Sequence, residues 1–85
     1  MSGKSSWVKF KLWAWNKFEG GYEGTINSMI EEWGKVYRHG PHAQQLSSYF
    51  TCMRKEAWLT HSGRCWSRGA RQGVPTSIQR YRNDR

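Results

Sequence analysis

The sequence predicts a small, mainly α fold: a helical hairpin with extended basic N- and C-terminal arms, and not an autonomous domain with a large core. Three observations predict it. The chain has 85 residues, enough for one compact domain at most. Leu, Ile, Val and Phe number only 12, whereas six Trp and four Tyr supply large rings. Each ring that finds a partner buries roughly 150–250 Å². The net charge of +8 sits at the ends: +4 over residues 1–18, −2 over 19–40, +1 over 41–59 and +5 over 60–85. A near-neutral centre between basic ends is the pattern of a folded hairpin with two arms, whose aromatic seam needs a partner's surface to complete it.

Residues 1–18 form a Trp/Lys-rich arm with Lys4, Lys9, Lys11 and Lys17 and no acid. Its conformation stays open. As a strand, Val8, Phe10 and Leu12 face one way. As a helix, Trp7, Phe10, Ala14 and Phe18 share a face while Val8, Trp13 and Trp15 spread around the cylinder. A segment apolar on several sides is expected to wedge into a crevice. Residues 19–24, rich in Gly, read as a flexible connector.

Residues 25–59 carry the hairpin. Ile26, Met29 or Ile30, Trp33, and Val36 or Tyr37 recur at helical spacing, with Thr25 as N-cap. Glu31 and Lys35 are an i,i+4 pair, Arg38 and His39 fall in the last turn, and Gly40-Pro41 stops the helix. Gly34 weakens it by roughly 1 kcal/mol relative to Ala. The second helix starts with Pro41 in its first turn. Its seam is Ala43, Leu46, Phe50, Met53 and Ala57, with Tyr49 beside it. Residues 60–85, an Arg/Gly/Ser-rich tail, show no period and read as extended.

Ala57–His61 and Gly63–Cys65 faintly resemble the end of the last helix in lentiviral accessory proteins of the Vpr/Vpx kind. Those proteins have three helices before their tail, whereas one fits between His39 and His61 here, so no property is carried over.

No phosphate loop, nucleophile elbow or paired-carboxylate motif is present, so the chain is not read as an enzyme, and no cofactor or small-molecule substrate is expected. His39, Cys52, His61 and Cys65 are weak metal candidates, since only His61 and Cys65 have a common ligand spacing. A Cys52–Cys65 disulfide is the alternative in an oxidising compartment, and two free thiols are the default. No stretch approaches the ~20 apolar residues of a membrane span, and no secretory leader is read at the N-terminus.

Two arms suggest two partners. Trp7, Trp13 and Trp15 alternate with Lys9, Lys11 and Lys17, which suits a lipid headgroup interface. Arg64, Arg68, Arg71, Arg80 and Arg82, interleaved with Trp66 and Tyr81, suit RNA or an acidic partner, because guanidinium groups pair with phosphates and rings stack on bases. The leading expectation is a non-catalytic accessory subunit of a large membrane-bound complex, mitochondrial and peripheral to the inner membrane, of respiratory-chain or ATP-synthase type. It would dock on other subunits through Trp7, Phe10, Trp13, Trp15, Phe18, Ile26, Ile30, Trp33, Tyr37, Leu46, Phe50 and Met53. The alternatives are a ribosomal or other ribonucleoprotein subunit, and a small viral or regulatory binder of an acidic partner.

Overall fold

The computed structural model describes residues 6–37, 41–76 and 78–79. In chain order the elements are α1 (Ser6–Glu19), α2 (Ile26–Gly34), α3 (Ala43–Lys55), β1 (Leu59–Ser62) and β2 (Cys65–Arg68). The fold is mainly α, as expected. Among the described residues no helix is long and apolar enough to cross a membrane.

The N-terminal segment is not an extended arm. It is α1, and three members of its expected helical face, Phe10, Ala14 and Phe18, are buried together with Trp15. The pattern was ambiguous because α1 is covered on several sides at once. Phe10 and Trp13 meet Trp33 of α2 edge-on at 5.1 and 5.3 Å. Phe18 meets Phe50 of α3 at 5.6 Å, and Trp15 meets Trp58 before β1 at 5.9 Å. A helix enclosed by three neighbours needs apolar residues around most of its cylinder. The crevice it wedges into belongs to this chain.

The Gly-rich connector is ordered too. Gly21, at φ 96°, closes α1 with the Tyr22 N–H on the Lys17 carbonyl at 2.9 Å and the Gly21 N–H on that of Phe18 at 3.0 Å. This is the Schellman arrangement, which places a left-handed residue just past the helix. Tyr22 then bonds its hydroxyl to Ser28 Oγ at 2.8 Å.

Thr25 caps α2 as expected, its Oγ1 accepting from the Ser28 N–H at 3.1 Å. The helix ends earlier than the spacing predicts, at Gly34, and Lys35 is its C-cap. Gly34 disfavours continuation, and Tyr37 folds its ring onto Trp33 at 4.0 Å instead of extending the buried face. Val36 is accordingly 67% exposed and Tyr37 42%. The anticipated Glu31–Lys35 pair gives way to a cross-helix ion pair, Lys17 Nζ to Glu32 Oε1 at 3.1 Å. Arg38, His39 and Gly40 lie outside the described residues.

Leu46, Phe50 and Met53 of α3 are buried as the heptad spacing required, but the ends of that seam are not: Ala43 and Ala57 are exposed. Ala57 lies past the helix with φ 67°, and the Trp58 N–H reaches back to the Met53 carbonyl at 2.9 Å. The same Schellman turn that ends α1 with glycine ends α3 with alanine. An L-residue in the left-handed region costs about 1–2 kcal/mol, and glycine loses more entropy on folding by roughly 0.5–1 kcal/mol. Ala57→Gly is therefore expected to stabilise the fold by about 0.5–1 kcal/mol, read as a raised urea midpoint with an unchanged slope.

The expected extended tail is likewise corrected over its described residues. β1 and β2 form an antiparallel hairpin, pairing Leu59 with Arg68 and Ser62 with Cys65, with Gly63 at φ 62° in the turn. Trp58, Leu59, Trp66, Pro75 and Ile78 are buried. The hairpin is tied to the connector by a two-way bond between Gly24 and Trp66, at 2.7 and 3.1 Å. Two tail arginines are drawn into this closure. Arg68 lies over the Trp15 ring at 4.5 Å and Arg71 over Trp58 at 4.3 Å. The sequence zones thus meet in one hydrophobic cluster, to which α1, α2, α3, the hairpin and Ile78 all contribute.

Candidate functional site

The rings expected to meet a partner are mostly inside. Phe10, Trp15, Phe18, Trp33, Leu46, Phe50 and Met53 are buried in the chain's own cluster, so they are not offered to another subunit. The physical reason is mutual satisfaction: the chain folds back so that each ring finds an edge or face of another. Trp7, Trp13, Ile26 and Ile30 are half-buried at its margin, and Tyr37 is exposed. Trp7 packs edge-on against Tyr49 at 5.3 Å.

Lys11 joins that margin. Its Nζ lies 5.6 Å from the Trp7 ring centroid and 5.8 Å from that of Tyr49, and burial lowers its pKa from the usual 10.5. Folding therefore disfavours the charged amine. The resulting destabilisation is present below the folded pKa and fades as pH rises towards the unfolded value of 10.5. Lys11→Met, which keeps the stem, is expected to melt higher than the parent chain at neutral pH. The difference should shrink as both are measured towards pH 10.5.

Of the metal candidates, Cys52 and Cys65 are free thiols, both exposed, and the alternative disulfide is not formed. His61 stacks on Trp66 at 4.1 Å with 23° between planes. His39 lies outside the described residues. Among the described residues no group of three His, Cys, Asp or Glu side chains is gathered to hold a metal ion.

The expected RNA-contacting residues divide. Trp66 is 6% exposed, sandwiched in the core face against Phe50 and His61, and is not a free platform for a base. Arg68 donates to the Gly69 and Arg71 carbonyls, and Arg71 to that of Glu56 at 3.2 Å, so both are engaged in closing the chain. Arg64 stays exposed at the hairpin turn. Arg80, Tyr81 and Arg82 lie outside the described residues.

Arg64 borders an open groove of about 510 Å³ between the starts of α2 and α3 and the β-hairpin. Thr25, Ile26 and Asn27 form one wall, Ala43, Gln44 and Ser47 a second, and His61, Gly63, Arg64 and Trp66 the third. Among the described residues no carboxylate lines it, and the ionisable side chains that do are Arg64 and His61. Asn27, Gln44 and Ser47 add amide and hydroxyl groups that donate and accept hydrogen bonds. The sequence offered no signal for these three: they are neutral polar residues on two separate helices, and only the packing of α2 beside α3 brings them together.

Comparison with protein-family models, with curated proteins and with solved structures finds no match for this chain.

Proposed function

We propose that the protein is a non-catalytic, cationic subunit of a ribonucleoprotein assembly, holding RNA chiefly by its phosphates. The observation that carries this reading is how the fold distributes its residues. The large rings are spent on the chain's own core, whereas Lys9, Lys35, Arg54, Lys55 and Arg64 are exposed on a chain of net charge +8. Exposed cations beside indoles that are buried or half-buried favour a polyanion over an apolar partner.

The test is the binding of the full chain to a single-stranded RNA across a salt series. Contact with three to five phosphates gives a log–log slope of about −2 to −3.5, a loss of roughly 15- to 130-fold in affinity between 50 and 200 mM salt. Retention that ignores salt, or no retention at the lowest salt, rejects the reading.

A peripheral place on a mitochondrial inner-membrane complex is the second reading. It is favoured by the half-buried Leu12 and Trp13 of α1, with the exposed Lys9 lying between them on the helix surface. It predicts a blue shift of Trp emission with anionic vesicles. Emission that stays put while RNA is bound leaves the first reading alone.

A further inference from the structure

We infer, resting on the RNA reading above for the source of the ligand, that the groove at the hairpin turn is a nucleotide site: a base stacks on the open face of His61 while the attached phosphate pairs with Arg64. Three observations converge on it. His61 is exposed, and the ring face it turns inwards lies on the buried Trp66 at 4.1 Å. The imidazole is thereby held flat by a fixed indole, which makes its other face a platform of set orientation. A ring so held loses little freedom when a base stacks on it.

The second observation is charge. The groove wall has Arg64 three residues beyond His61, across the Gly63 turn, and among the described residues no acid lines the groove. A guanidinium matches a phosphate bidentately, and a site with no carboxylate repels none of the phosphate's charge. The third is size and lining. About 510 Å³ lies within the ordinary range of ligand clefts, roughly 300–1,000 Å³. Asn27, Gln44 and Ser47 face it from two helices, supplying the paired donors and acceptors that the polar edge of a base requires. An apolar or cationic ligand would leave these groups and Arg64 unmatched.

The experiment uses the full chain with adenosine 5′-monophosphate, adenosine and inorganic phosphate as separate probes, followed by amide and side-chain NMR shifts, and in parallel a single-stranded RNA. The mononucleotide is expected to move the signals of Asn27, His61, Gly63 and Arg64, and to bind more tightly than adenosine or phosphate alone. His61→Ala should weaken it roughly tenfold and leave inorganic phosphate unaffected, while His61→Phe, which keeps a stacking ring, should retain binding. Arg64→Ala should weaken the mononucleotide and inorganic phosphate alike. All three substitutions are at exposed positions, and a thermal melt of each checks the fold.

Two failures are distinguishable. If RNA is held with normal affinity by both His61→Ala and Arg64→Ala, and the mononucleotide moves no groove signal, the groove assignment is overturned and the RNA reading stands. If the mononucleotide occupies the groove but RNA is not retained, the nucleotide site stands and the RNA reading falls. Binding of an acidic peptide at the groove with no response to the mononucleotide also overturns the assignment.

Discussion

Trp66→Ala is expected to unfold the protein under ordinary conditions, or to lower its melting temperature by more than about 15 °C. Trp66 is 6% exposed and sits where three parts of the chain meet. Its ring packs edge-on to Phe50 of α3 at 5.4 Å and face-on to His61 across the hairpin. Its backbone exchanges two hydrogen bonds with Gly24 in the connector. Truncating a buried Trp removes roughly 3–5 kcal/mol. A domain of this length has about 4–13 kcal/mol in total, so the loss takes between about a quarter and all of it. Trp66→Phe keeps an aromatic face against Phe50 and should lose far less. Circular dichroism melts of the two variants decide the matter. An alanine variant that melts like the parent would mean that the hairpin does not close on the helices. The rings would then be free for a partner after all.

Gly69→Ala is the second large effect, although it adds a single methyl group. Gly69 follows β2 and donates its N–H to the Trp58 carbonyl at 2.8 Å. A Cβ at this position would run into the Ala57 carbonyl oxygen and stand 2.9 Å from the Trp58 carbonyl carbon. Those are backbone atoms and cannot rotate aside. The strand end must lift from the turn that follows α3, and with it the Arg71 N–H bond to the Ala57 carbonyl at 3.1 Å and the Arg71 guanidinium over Trp58. Overpacking of this kind costs about 1–3 kcal/mol, and the rigidity of both partners places it at the upper end. By contrast, a Cβ on Gly34 meets nothing within 4 Å, so Gly34→Ala should raise stability through helix propensity by up to about 1 kcal/mol. Urea titrations of the pair must move in opposite directions.

The two central helices were legible because their signals are short-range. Thr25 caps α2 because its hydroxyl reaches the N–H three residues on, whatever the rest of the chain does. Leu46, Phe50 and Met53 lie on one face of α3 because 3.6 residues make a turn. The mainly α class and the two amphipathic helices followed from such local rules. The candidate groove was half legible. Arg64 and His61 were both visible as chemistry-bearing residues, but on separate accounts, one for phosphate and one for metal.

The amino-acid order by itself determined the helical centre, the Thr25 cap of α2 and the excess of cations over anions, but not the start of α3, which begins at Ala43 behind an N-cap at His42 and leaves Pro41 outside its first turn. Only the tertiary structure decided the fate of the rings. Trp15 and Trp58 are far apart in the chain yet meet edge-on at 5.9 Å, and Phe18 finds Phe50 in the same way. An aromatic side chain is satisfied by whichever surface arrives, so its sequence neighbourhood cannot distinguish an intramolecular partner from a foreign one. That choice belongs to the chain's return path. Two reversals set it, through the left-handed residues Gly21 and Ala57, and they lay α1 and the hairpin back over α3.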